Sequence, residues 1–239
     1  VNIRRQDLQE NHTLLDSITS FFVPIHKDGY KFVAAFAVGA LLLAWVSDPL
    51  GWAGAAATIY CAYFFRDPER FPPKGKGLVI APADGRISAI EEVVPPKELD
   101  LDGAKRTRIS IFLSVFDVHI NRSPVAGKIT KIVYVPGKFI NAELDKASEE
   151  NERQCLTIET SGGTRIGCVQ IAGLIARRIV TFVQQGATVE AGERFGLIRF
   201  GSRTDVYLPP GTKPVVRVGQ TALGGETVLA YIGAGKSGS

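Results

Sequence analysis

Apolar residues are distributed along this chain in two different ways. Between residues 32 and 65 they are nearly continuous, whereas beyond residue 77 they come in short β-branched runs separated by glycine. Ser47, Asp48 and Pro49 divide the first block into apolar runs of 15 residues (32–46) and 16 residues (50–65). Each is shorter than the roughly 20 residues that cross a hydrocarbon core as a helix. The pattern predicts a helical hairpin turning at Asp48-Pro49, either as two short spans or as a shallow re-entrant anchor, with a buried core hairpin as the alternative. Trp45, Trp52, Tyr60 and Tyr63 stand near the run ends, where amphipathic rings settle at a membrane interface. Lys27 and Lys31 precede the block, and Arg66, Arg70, Lys74 and Lys76 follow it. Cations on both flanks put both ends of the hairpin on the cytoplasmic side.

Residues 71–77, rich in proline and glycine, read as a linker. The expected division is a helical membrane-associated region (1–70) and a β-rich catalytic domain (71–239). Within the latter, residues 109–116, 128–134, 155–160, 165–171, 179–183, 195–200 and 215–218 have the composition of strands. The charged stretch 143–152 reads as a loop or a short exposed helix. Two internal echoes stand out. Pro82-Ala-Asp-Gly85-Arg-Ile-Ser-Ala-Ile90 returns as Pro124-Val-Ala-Gly127-Lys-Ile-Thr-Lys-Ile132, and Gly186-Ala-Thr-Val-Glu-Ala-Gly192-Glu193 as Gly219-Gln-Thr-Ala-Leu-Gly-Gly225-Glu226. Each echo pairs a glycine turn with a following strand. The expected fold class is therefore mainly β (α+β), with pseudo-repeats like the small sandwiches of biotinyl and lipoyl carriers, preceded by an α-helical membrane-anchoring hairpin.

Composition narrows the function classes. With 45% hydrophobic residues the chain cannot be disordered, and Cys61, Cys155 and Cys168 form neither a disulfide framework nor a zinc motif. No metal site is expected. A net charge of +4 over 239 residues, without a basic stripe interleaved with aromatics, argues against a nucleic-acid partner and suits an anionic membrane surface. Gly235-Lys236-Ser237 lacks both the first glycine and the following helix of a phosphate loop.

Chemistry concentrates at three places. His119 is the sole histidine beyond residue 26, in Ser114-Val-Phe-Asp117-Val-His119-Ile-Asn121-Arg122-Ser-Pro124, where alternation puts Asp117 and His119 on one face. Asp84 lies in the turn Pro82-Ala-Asp-Gly85, and pseudo-symmetry is expected to bring it close to His119. As a residue before glycine it also suits a plain Asx turn. Gly201-Ser202 follows the strand 195–200, so that a strained turn can present the Ser202 hydroxyl to the open glycine carbonyl, with an imidazole to take its proton.

Together with Tyr63-Phe-Phe-Arg-Asp-Pro68, Ala81-Pro-Ala-Asp-Gly85, Gln170-Ile-Ala-Gly173 and Ala176-Arg-Arg178, these motifs occur in an order that resembles the phosphatidylserine decarboxylase family, especially its short bacterial form. The resemblance covers nearly the whole chain. It implies a precursor that cuts itself between Gly201 and Ser202, giving chains 1–201 and 202–239 and a pyruvoyl group in place of Ser202. Through a Schiff base with that group the enzyme would decarboxylate phosphatidylserine to phosphatidylethanolamine on the cytoplasmic face of the inner membrane. Ser202 is then the cofactor source, Asp84 the acidic partner in self-cleavage, and His119 the proton carrier of both stages, oriented by Asp84 or Asp117. Longer members carry a second histidine where this chain has Arg122, and arginine does not readily act as a base. Arg122, Lys138, Arg177, Arg178 and Arg203 are the candidate cations for the lipid headgroup. An archaetidylserine-type lipid has the same headgroup and stays an alternative. A second copy of the chain is a further candidate partner. The rival from another class is a lipoyl-like carrier modified at Lys146, within Glu143-Leu-Asp145-Lys146-Ala147.

Overall fold

The computed structural model describes residues 23–142, 150–173, 178–199 and 202–233. The chain divides into two compact units, Val1–Pro68 and Glu69–Ser239. In the first, a 3-10 turn (Lys27–Gly29) leads into α1 (Tyr30–Val46) and α2 (Asp48–Phe64). Ser47 is extended (φ −166°, ψ 144°) and its side chain accepts from the Leu50 amide, while Pro49 occupies the first turn of α2, where no N–H is needed. Both helices start earlier than the apolar runs because Lys31 and Asp48 fit exposed first-turn positions. The helices pack closely at glycine: a Cβ on Gly54 would lie 2.7 Å from the Ala40 Cα, and one on Gly51 2.6 Å from the Ala44 Cβ. At the open end, the His26 and Asp67 amides donate to the Phe65 and Pro24 carbonyls, and the Phe32 and Phe65 rings stack at 5.3 Å. The outer faces stay apolar and exposed, Trp45 at 93% and Trp52 at 78%. Lys27–Val46 is a helix long and apolar enough to cross a membrane.

The second unit is mainly β, with a 3-10 turn at Lys97–Leu99. Its strands are β1 (Leu78–Ile80), β2 (Gly85–Val93), β3 (Arg106–Leu113), β4 (Ile120–Arg122), β5 (Gly127–Val135), β6 (Arg153–Glu159) and β7 (Arg165–Ala172). β8 (Ile179–Thr181), β9 (Thr188–Val189), β10 (Arg194–Ile198), β11 (Ser202–Tyr207), β12 (Thr221–Ala222) and β13 (Val228–Tyr231) follow. Eight form one sheet in the order β12-β2-β3-β11-β7-β6-β5-β9; β4-β10-β8 and β1-β13 form two small ones. Residues 215–218 do not form a strand. Pro214 has no N–H to donate and makes only an isolated bridge to Ala230, and Val215 and Val218 are exposed. Most of the charged stretch 143–152 lies outside the described residues.

The strand order reads the same from both ends, and so does the register. Val93 pairs with Arg106 as Val135 pairs with Arg153, and Ile87 with Ile111 as Ile129 with Ile158, with a bulge at the same place in both. β12 meets β2 at Gly85 and Arg86, as β9 meets β5 at Gly127 and Lys128. The small sheets correspond too: Leu78, Val79 and Ile80 face Tyr231, Ala230 and Val228, as Ile120, Asn121 and Arg122 face Leu197, Gly196 and Arg194. The twofold relation passes through the central pair Val206–Cys168. One face of the sheet carries the main core, with Ile87, Ile109, Ile111, Ile129, Ile158 and Val206 fully buried. Leu99, Cys155, Val169, Ile171 and Tyr207 form a second cluster.

Candidate active site

Ser202 opens β11, between Leu113 of β3 and Ala172 of β7. It is fully buried, and its Oγ has no hydrogen-bond partner among the described residues. Leaving a hydroxyl dry and unpaired costs about 1–3 kcal/mol, so native proteins rarely do it without a use for the group. The strand is clamped by its alternate residues. Arg203 points to the opposite face, where its Nε and Nη2 reach the two Asp205 carboxylate oxygens at 2.9 and 3.1 Å and its Nη1 reaches the Ala142 carbonyl. This two-pronged pair fixes β11 and leaves Ser202 facing the other way.

His119 is also fully buried. Its Nδ1 lies 2.9 Å from the Asp117 carbonyl oxygen. A carbonyl only accepts, so Nδ1 carries the hydrogen, and Nε2 is the nitrogen that holds the lone pair whenever the ring is neutral. It is thus the main chain of Asp117 that meets this nitrogen; the Asp117 carboxylate accepts the Ser114 amide at 2.7 Å and shapes the turn out of β3. Two short connections hold His119 near Ser202. It lies six residues beyond Leu113, the neighbour of Ser202, and its carbonyl accepts the Ile198 amide, four residues before Ser202. Four residues reach at most about 14 Å.

Asp84 accepts from Arg70 Nη2 at 2.7 Å and from the Gly224 amide at 2.8 Å. Arg122 is buried, donates from Nη1 to the Gly192 carbonyl, and through its amide to the Pro82 carbonyl. Gly225 (φ +84°) lies between the two arginines: a Cβ there would come 2.9 Å from the Arg122 Cδ and 3.3 Å from the Arg70 Cβ. Arg70, Asp84 and Arg122 therefore gather at one turn. Counted from sequence as a hairpin flank, Arg70 is instead an ion-pair partner of Asp84, both side chains about nine-tenths buried. The twofold register equates Asp84 with Ala126 and His119 with Gly77, so Asp84 does not stand at the mate of His119, contrary to the expectation from the echoes.

The remaining candidates are spread out. Lys138 is exposed and pairs with Glu150 at 3.2 Å, and Arg178 is exposed. Gly201, Arg177 and Lys146 lie outside the described residues.

A polar chain beside Ser202 was not singled out from sequence. Thr181 Oγ1 meets Gln154 Oε1 at 2.6 Å, Gln154 Nε2 donates to Gln170 Oε1 at 3.2 Å, and Gln170 Nε2 donates to Asn121 Oδ1 at 2.7 Å. Gln170 shares a sheet face with Ser202, since it pairs with Thr204, two residues further along β11. The signals for it were the places of Gln170 and Asn121 inside the quoted motifs Gln170-Ile-Ala-Gly173 and Asp117-Val-His119-Ile-Asn121, and the amide of Gln170 within the apolar run Cys168-Val-Gln170-Ile.

A mainly β domain that buries a serine hydroxyl at the head of one strand and an imidazole just before another has the constitution of an enzyme. Residues 57–230 match the family model described as phosphatidylserine decarboxylase. The chain is 62% identical over 214 residues to the phosphatidylserine decarboxylase proenzyme of Nitrobacter winogradskyi, covering 90% of this chain and 87% of that protein. The chain belongs to the phosphatidylserine decarboxylase family.

Proposed function

We propose that the chain is a precursor that cuts itself at the Gly201-Ser202 bond and then, as two chains, removes the carboxylate of phosphatidylserine as CO2, leaving phosphatidylethanolamine. The observation that carries this reading is the buried, unpartnered hydroxyl at the head of β11, in a chain 62% identical to a proenzyme of that name. In the first stage His119 Nε2 takes the Ser202 proton and Oγ attacks the Gly201 carbonyl carbon. The peptide C–N bond breaks as the acyl group moves to oxygen. Elimination of the resulting ester releases chain 1–201 as a carboxylate, and hydrolysis with loss of ammonia leaves a pyruvoyl group at 202.

The site suits that group. Its neighbours across the two adjoining strands, Ala172 and Leu113, are uncharged and apolar, and Arg203 and Asp205 are turned away. When present, the pyruvoyl ketone holds the serine amine and draws electrons from the bond to the departing carboxylate. The chain's own residues keep water out, hold β11 in place and, through His119, return a proton to the substrate carbon. Asp84, with Arg70 and Arg122 around it, supports the turn beside the cut. For the lipid phosphate, exposed Arg178 and Lys138 are better disposed than Arg122 and Arg203, whose guanidinium groups are buried in internal bonds.

The apolar faces of α1 and α2 support seating the first unit in the cytoplasmic leaflet of the inner membrane. The matched registers support reading the catalytic domain as two units of the biotinyl and lipoyl type. Intact mass provides the test. Wild type should appear as chains 1–201 and 202–239, the latter with a blocked N-terminus, while Ser202→Ala should stay one chain and release no CO2 from phosphatidylserine. A wild-type chain that decarboxylates uncut, or a Ser202→Ala chain that still splits, refutes the reading. Equal turnover of an ether-linked serine lipid would favour the archaetidylserine alternative.

A further inference from the structure

The twofold register supplies an internal control for the polar chain beside Ser202. Asn121 faces Gly196 where Val79 faces Ala230. Gln154 pairs with Gln170 where, in the other half, the Leu208 amide bonds to the Thr107 carbonyl. Thr181 pairs with Gly196 where Pro214 bridges to Ala230. Val79, Leu208 and Ala230 belong to one buried apolar cluster. The same backbone positions thus pack stably without amides, so the fold itself does not ask for them. Burying three amides instead is unfavourable unless each is fully bonded.

They are not fully bonded, and the shortfall has a direction. Hydrogens run one way, from Gln154 to Gln170 to Asn121, and the chain ends on Asn121 Nδ2, a fully buried donor without a partner among the described residues. Room for this chain comes from Gly196, where a Cβ would sit 2.8 Å from the Gln170 Nε2. On the same side of the sheet, Ser202 Oγ and Thr204 Oγ1 are buried oxygens without partners among the described residues. Ser202 stands about 7 Å along β11 from Thr204, the register partner of Gln170.

We propose that the amide chain holds Asn121 as a hydrogen-bond donor to the oxygen at position 202. In the precursor its Nδ2–H fills one lone pair of the Ser202 hydroxyl and so turns the hydroxyl hydrogen toward His119 Nε2. Asn121 then touches the reacting group, and Gln170 and Gln154 are positioning residues that keep its amide from flipping. This rests on the reading of Ser202 as the reacting group.

The test follows the 202–239 fragment over time in purified full-length precursor. Asn121→Val and Gln170→Leu install the residues of the other half. Both variants should keep the wild-type melting temperature within a few degrees yet cut at least about tenfold more slowly, as expected for loss of an aimed donor. Asn121→Asp keeps the shape and the acceptor for Gln170 but donates only when protonated. Its cutting rate relative to wild type should therefore rise as the pH falls from about 8 to about 5, which a purely structural role would not produce. Cutting of Asn121→Val at the wild-type rate, or a pH-independent ratio for Asn121→Asp, overturns the proposal. A wild-type precursor that never cuts refutes the underlying reading of Ser202 instead.

Discussion

Arg70 and Asp84 form an ion pair of 2.7 Å with both side chains almost out of water, so removing either takes from the other its oppositely charged partner. Breaking such a pair costs about 3–5 kcal/mol, because the survivor keeps its desolvation and loses its partner. Arg70→Ala should lower the melting temperature by several degrees and slow self-cleavage, whereas Asp84→Asn with Arg70→Gln together should recover part of the stability. Thermal melts of the single and double variants give the coupling, and additive losses would show that the pair is no structural unit. Asp84, His119 and Ser202 stood out in the sequence because each sits in a motif with its own chemistry, and the structure buries all three. Arg70 did not, since it stands among cations that flank an apolar block and its partner is 14 residues away. Asp117 was read as an orienting carboxylate by strand alternation, but the chain turns there, and the carbonyl rather than the side chain reaches the imidazole.

Among the elements, α1 and α2 were the most legible, because Ser47-Asp48-Pro49 combines a cap, a favourable first-turn charge and a residue that starts helices. The long strands β3, β5, β6 and β7 were legible within a few residues for their β-branched content. The two- to four-residue strands β1, β9, β12 and β13 were not, because pairing with distant partners makes them strands and no local pattern does. The exposed faces of the hairpin carry a prediction of their own. Leu41 and Ile59 are about 70% exposed on α1 and α2, which water would not favour and a lipid phase would. The full chain should float with vesicles containing anionic lipid. Leu41→Glu combined with Ile59→Glu should weaken that flotation severalfold while leaving self-cleavage intact, since neither residue belongs to the β unit. Unchanged flotation of the double variant would remove the hairpin from the membrane.

At the scale of the whole catalytic domain, the halves share backbone register and divide the chemistry between them. Asp84 and Ser202 lie in the half of β2, β3 and β11, and His119 and Arg122 in the half of β4, β5 and β6; their mates Ala126, Thr164, Gly77 and Ile80 repeat none of that chemistry, so each half adds different buried polar groups to one shared sheet. Its centre is dry enough to leave a signature in pH. Burial pushes the Cys155 thiol up to about 12 and raises both the Cys168 thiol and the Tyr207 hydroxyl. Unfolded, the thiols ionise near pH 9 and the tyrosine near pH 10. All three are acids whose folded pKa is raised, so their contribution is fully present below pH 9 and is lost as pH climbs toward the folded values. Each group that ionises only on unfolding removes about 1.4 kcal/mol per pH unit once the medium passes its unfolded pKa. Unfolding free energy from urea titrations should therefore be nearly flat between pH 7 and 8.5. It should fall by a few kcal/mol between about pH 9 and 11, steepening near 10 as Tyr207 joins. Cys155→Ala and Cys168→Ala should each make the fall shallower, and Tyr207→Phe should remove the steepening. If the three variants instead keep the wild-type slope, alkaline loss comes from lysines and surface pairs, and the centre of the sheet admits water.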